Sequence, residues 1–223
     1  MLTDLFSHFK NKKYFKQLFF IVLVLIFFYI SSNINNIVIP LTGENVSRDK
    51  DNRTQNIPGL LEFQNDLDLT DPNFIAGLYI PEILAAPVVQ QASGEPAYVS
   101  TKVNTITQFN IAKRYGTIGL LAHNYLAGKS FLDLEPGQLI ILVYGNKEIE
   151  RYQISEIEEY KALSPQDPYS SFININNPTK ILSSTDLFQN IYRGRDKLVL
   201  QTCIEANNNN SWGRLFVIAE KLD

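Results

Sequence analysis

Cys203 and Arg214 are the two residues of this chain whose types and spacing most directly suggest shared chemistry. Lys197-Leu198-Val199-Leu200-Gln201-Thr202-Cys203 alternates two sets of side chains, Leu198, Leu200 and Thr202 against Val199, Gln201 and Cys203, and predicts a strand that ends in the only cysteine. Arg214-Leu215-Phe216-Val217-Ile218-Ala219-Glu220 predicts a second strand. Between them Glu205 to Gly213 is polar and turn-rich, which predicts a hairpin with a long loop. In an antiparallel pair the end of one strand faces the start of the next, with strands about 4.8 Å apart. Cys203 and Arg214 are therefore expected side by side at the rim of a sheet. A thiol beside a fixed positive charge suits a nucleophile with a stabiliser for a developing oxyanion. The only other residue type needed for thiol chemistry is histidine, and the chain has two, His8 and His123. Taken singly, each has an ordinary reading: a buried small hydrophobe for Cys203, a satisfied core or surface histidine for His123, a surface ion pair for Arg214. The functional reading rests on the three together.

Several segments must position them. Gly116 to Ala122 predicts a buried strand with His123 at its end. Ala76 to Pro81 predicts a strand stopped by proline, and Ile83 to Gln91 another, interrupted by Pro87. Val99 to Phe109 mixes β-branched and polar residues and fits strand or helix. Glu135-Pro136-Gly137 is a turn signal. Gln138 to Tyr144 and Glu150 to Lys161 form an evident hairpin through Gly145-Asn146-Lys147-Glu148. Ser164 to Asp196 is too long for a structureless loop; Leu187, Phe188, Ile191 and Tyr192 recur at helical spacing after Ser183-Ser184-Thr185, which offers an N-cap. Many short strands and a closing hairpin predict a mostly β domain, a closed or nearly closed β-barrel with short helices, with Leu142, Leu200, Leu215 and Val217 in its core.

The same residues carry a resemblance. Val199-Leu200-Gln201-Thr202-Cys203 resembles the sortase signature Thr-Leu-X-Thr-Cys, with Val199 in place of the first Thr. Arg214 stands where sortases keep their arginine, and Ala122-His123-Asn124 resembles their histidine segment. The order and spacing also agree, over roughly Ala76 to Leu222. Ala122 replaces a frequent Gly and Ile204 a frequent Asp, departures that bear on subclass. The resemblance implies a sortase-type barrel and a cysteine transpeptidase, a thiol protease by its first half-reaction. Cys203 would attack a backbone carbonyl in a sorting signal similar to Leu-Pro-X-Thr-Gly. His123 would act as acid and base and Arg214 would stabilise the oxyanion or position the peptide, with Thr202 and Asn124 near the substrate. Partners would be surface proteins with a C-terminal sorting signal and an amine of a cell-wall precursor or pilin. No cofactor is implied. Some sortases bind calcium through carboxylates near the long loop; Glu156, Glu158, Glu159 and Asp167 are available here, with a solvated strand face as the ordinary explanation. Pilin-type sortases carry an Asp-Pro-aromatic lid, and Asp71-Pro72-Asn73-Phe74 has an extra residue, so a turn initiated by Asp-Pro is the preferred reading. Two other classes remain open: a sortase-fold binding module without activity, and a thiol peptidase without an acceptor amine.

The beginning of the chain sets the expected location. Leu18 to Ile30 is an unbroken apolar run, and Tyr14 to Ser32 predicts a helix of bilayer-crossing length. Lys10, Lys12, Lys13 and Lys16 precede it and no lysine follows until Lys50, which leaves the N-terminus cytoplasmic and the rest extracellular. A cleaved signal peptide fits the same features, but no Ala-X-Ala site follows. His8 would then lie across the membrane from Cys203, leaving His123 as its only histidine partner. The expected organisation is a cytoplasmic end (1–13), an anchor (14–32), a stalk rich in Asn, Asp, Thr and Pro (33–75) and a catalytic domain (76–223). One cysteine rules out an internal disulfide. The net charge of −3 combines +3 in residues 1–32 with −6 in the rest, which gives no support for nucleic-acid binding. His and Cys are too few for a zinc cluster.

Overall fold

In the computed structural model, residues 57–223 are described apart from 69, 70, 93, 96 and 168. The strands are β1 (Ile75–Ile80), β2 (Leu84–Gln90), β3 (Ile106–Gln108), β4 (Thr117–Leu121), β5 (Leu139–Tyr144), β6 (Ile149–Ala162), β7 (Phe172–Asn174), β8 (Ile181–Leu182), β9 (Lys197–Ala206) and β10 (Asn209–Lys221). They form one sheet in the order β10-β9-β4-β3-β2-β1-β5-β6-β7-β8, and β10 also pairs with β6. That second pairing closes eight strands into a barrel and leaves β7 and β8 as a flap outside it. Closure satisfies the backbone groups that an open edge would expose.

The barrel interior is apolar because each strand alternates. Leu198 and Leu200 of β9, Leu215, Val217 and Ala219 of β10, and Ile140 and Leu142 of β5 meet there with Leu120, Tyr152 and Ile154. The four expected core residues, Leu142, Leu200, Leu215 and Val217, are all buried in it. The alternate positions face outward. Val199, Phe216, Ile218 and Tyr160 form a second cluster under α2 (Ser184–Tyr192), the β7–β8 flap and the 3₁₀ helix Ala112–Tyr115. Ser183 caps α2 as its sequence suggests, its hydroxyl accepting from Asp186 N–H at 3.1 Å. Leu187, Ile191 and Tyr192 are the face it buries.

Four expectations need correction. Residues 33–75 do not all form a linker: α1 (Leu60–Asp66) buries Phe63, with Leu67, against Ala85 and Val143. Gly77 beneath it makes the contact feasible, since a Cβ there would lie 2.7 Å from both Phe63 and Leu67 side chains. Pro87 does not interrupt its strand, because β3 pairs with β2 only from Val88 onward and that side of β2 needs no proline N–H. Of Val99 to Phe109 only Ile106–Gln108 is strand; Asn104 turns the chain at φ 52° and the Thr107 hydroxyl takes the Ser100 N–H at 2.8 Å. The long polar loop between the last two strands is replaced by more strand. β9 continues to Ala206, Asn207 and Asn208 make a two-residue turn at φ 53° and 58°, and β10 starts at Asn209. Asparagine tolerates the left-handed region that such a turn requires.

Asp71 to Phe74 is a turn, closed by Phe74 N–H donating to Asp71 O at 3.2 Å and Asn73 N–H to the Asp71 carboxylate at 2.9 Å. It abuts Gly145 at the β5–β6 turn, the end of the barrel away from Cys203, so it does not cover that residue. The expected anchor at 14–32 lies outside the described residues. Among those described, no helix is long and apolar enough to cross a membrane.

Candidate active site

The pairing register brings the expected residues together: His123 follows the end of β4 as expected, whereas Cys203 and Arg214 lie within β9 and β10 instead of at their ends. Cys203 and Arg214 are directly opposite each other in the β9–β10 ladder. Directly opposed residues share a face. That face is the outer one, because Cys203 alternates with Thr202 and Leu200, which point into the barrel. β4 runs parallel to β9, with Leu121 opposite Gln201. The Ala122 N–H continues that ladder by donating to Gln201 O at 3.2 Å. His123, two residues past Leu121, falls beside Cys203 by the same count, and Ala122 before it packs inward. The row extends across the sheet, because Arg214 is also opposite Tyr160, and Tyr160 opposite Asn174.

All three expected residues are buried: Cys203 is 5%, His123 8% and Arg214 3% exposed. His123 is fixed through its backbone. Its carbonyl accepts from Leu126 N–H at 2.9 Å and Gly128 N–H at 3.0 Å, which folds residues 123–128 into a tight turn leading to the 3₁₀ helix Ala127–Asp133. Burial holds the imidazole below its ordinary 6.5, partly opposed by a hydrogen bond to the Val99 carbonyl. Nε2 is sealed from solvent and has no partner among the described residues. A neutral imidazole with one nitrogen engaged and the other unengaged can accept a proton from a thiol or pass one to a leaving amine. Arg214 is held within its own hairpin. Its Nη1 donates to Gly213 O at 2.7 Å and Ser211 O at 3.2 Å, across the irregularity between Asn209 and Gly213.

Two expected substrate contacts serve other purposes. Thr202 is fully buried on the inner face, and its hydroxyl donates to Ala122 O at 2.9 Å, so it joins the end of β4 to β9 instead of facing a peptide. Asn124 is buried too, its amide donating to Asn210 O at 3.2 Å, which ties the histidine turn to the hairpin tip. Two of the carboxylates considered for calcium are separately engaged: Glu158 accepts from the Tyr160 hydroxyl, and Asp167 caps its own turn by accepting from Tyr169 N–H at 2.8 Å. Among the described residues no three His, Cys, Asp or Glu converge on a point. Burial and the Glu158 carboxylate push the Tyr160 hydroxyl up to about 12.

Other residues of the site are not evident from sequence. Tyr125 stacks on His123, centroids 5.1 Å apart at 22°. Its hydroxyl is raised first by burial and then by the charge of Cys203, so it lies within electrostatic reach of the thiol. Gly128 lets the turn run close to β9: a Cβ there would be 2.4 Å from Thr202 Oγ1 and 2.7 Å from Ala122 O. The signal for Tyr125 is an aromatic two residues beyond a candidate histidine, which only the turn makes meaningful.

No protein family and no characterised sequence matches the chain in comparison. Solved structures do. Sortase A from Corynebacterium diphtheriae is 14% identical, with a TM-score of 0.44, over 69% of this chain and 63% of that one, less than two thirds of its length. A Clostridium perfringens sortase C, solved with the C-terminal cell wall sorting motif, is 16% identical over 70% of this chain and 74% of that one, TM-score 0.43. Sortase C1 from Streptococcus agalactiae is 18% identical over 73% and 75%, TM-score 0.43. What the chain shares with these sortases is a similarity of barrel fold.

Proposed function

We propose that this chain is a membrane-anchored cysteine transpeptidase of the sortase kind. One observation carries the reading: Cys203 lies opposite Arg214 in register, and the chain's count along β4 sets His123 beside them on one outer face. Cys203 attacks the carbonyl of a sorting signal similar to Leu-Pro-X-Thr-Gly, giving a thioester and releasing an amine. His123 takes the thiol proton as Cys203 attacks and passes it to the leaving amine; it then takes a proton from the incoming amine and returns it to the displaced thiolate. Arg214 stabilises the oxyanion or orients the peptide. The donors are surface proteins with a C-terminal sorting signal, and the acceptor is an amine of a cell-wall precursor or another surface protein. Residues 14–32 anchor the chain and place the barrel outside the cell, supported by the lysines before the apolar run. The test is incubation of the protein with a peptide library and a primary amine, read by mass spectrometry. A thioester on Cys203 and an amine-joined peptide are expected. Hydrolysis products alone, unchanged by amine, would favour the thiol peptidase; no adduct at all would favour the inactive module.

A further inference from the structure

His123 is 8% exposed and the ring lying on it, Tyr125, is 44% exposed. The outermost layer over the imidazole is therefore an aromatic side chain in a turn, not a strand or helix of the barrel. The two rings are near parallel at 22°, 5.1 Å between centroids, a face contact that covers one side of the imidazole. The β2–β3 loop approaches the ring through the Val99 carbonyl. The unengaged Nε2 has no contact with solvent. The ionisable groups on this outer face include Cys203 and Arg214 of the hairpin, Glu205 two residues along β9 from the thiol and Tyr160 opposite Arg214, and the thiol is within electrostatic reach of the Tyr125 hydroxyl. Tyr98 adjoins Val99 in the loop.

We propose that Tyr125 is a positioning residue whose ring, by packing on His123, keeps water off the imidazole and holds it in the orientation set by Val99. An imidazolium loses hydration under such a cover, so the neutral form is favoured. The hydroxyl is not required; the flat apolar face is. In the transpeptidase reading, on which this consequence rests, the same ring keeps water from the thioester while an amine acceptor is awaited.

The test titrates His123 by NMR in the full chain in detergent micelles, with the second imidazole signal assigned by a His8→Gln variant. Tyr125→Ala should move the His123 titration upward toward 6.5, the ordinary value. Tyr125→Phe should leave it where the parent has it. Tyr125→Thr, which also removes the ring, replaces the alanine variant should that one not fold. An unchanged titration in the ring-less variants overturns the proposal, and so does an equal rise in the phenylalanine variant, which would assign the effect to the hydroxyl. No substrate enters this measurement, so its failure leaves the transpeptidase reading untouched. A parent protein that forms no thioester would sink that reading and leave the titration standing. Where both hold, Tyr125→Ala should also raise the ratio of hydrolysed to amine-joined product.

Discussion

Cys203 is the only thiol in the chain, so Cys203→Ala is expected to abolish both the thioester and all turnover, read by intact-mass spectrometry and product formation. His123→Ala should lower the rate by about 10²–10⁴-fold, the scale of acid–base catalysis. Arg214→Ala should lower it by roughly 10²–10³-fold, the scale of one oxyanion donor. Arg214→Lys should rescue poorly, because lysine lacks the planar guanidinium fork. Arg214 also bears on stability. It is buried and donates to Gly213 O and Ser211 O, so its loss leaves buried acceptors and should cost about 1–3 kcal/mol in urea denaturation. A second expectation concerns pH. His123 titrates below 6.5 in the folded state, so the unfolded chain binds its proton more readily. The contribution is fully present above 6.5 and is lost as pH falls through the folded value. His123→Gln should therefore lose less melting temperature than the parent between about pH 8 and about pH 5. An identical pH profile in both would contradict burial as the cause.

Among elements, the turn from His123 into the 3₁₀ helix Ala127–Asp133 governs the site. Its close approach to β9 depends on Gly128, where a methyl group would meet Thr202 Oγ1 and two backbone carbonyls. Backbone cannot yield as a flexible side chain can, so Gly128→Ala should cost about 1–3 kcal/mol. It should also slow alkylation of Cys203 or thioester formation by shifting His123. A stable variant with parental reactivity would show that the turn adapts. At this scale the sequence was a good guide wherever alternation was long. β4, β5, β6, β9 and β10 each follow their pattern, and the Ser183 cap is where the helical spacing asks for one. It misled where side chains redirect the backbone. The polar run Glu205 to Gly213 suggests a loop, yet cross-strand pairing carries it into β9 and β10 and leaves Asn207-Asn208 as the whole turn.

The described residues form a barrel closed by the β10–β6 pairing, with α2, the β7–β8 flap and the 3₁₀ helix Ala112–Tyr115 laid on its outside. Long-range pairing rather than local propensity makes that closure. If residues 14–32 span the membrane as proposed, protease added to protoplasts should digest the barrel and spare the first residues. Complete protection of the region 33–223 would contradict the extracellular placement. A mature chain beginning near Asn33 would instead point to a cleaved signal.

From its residues alone the chain determined that Cys203, His123 and Arg214 are the candidates, because it holds one cysteine and two histidines and the arginine follows at hairpin spacing. It also determined the inward positions, since a period of two assigns faces without knowledge of neighbours. Only the tertiary structure decided that the barrel closes, that α1 packs on it, that Cys203 stands directly opposite Arg214 with His123 in the same row, and that Tyr125 covers His123. Those facts depend on register between distant strands. A shift of one residue in that register would turn every side chain to the opposite face, and no local stretch contains the information that sets it.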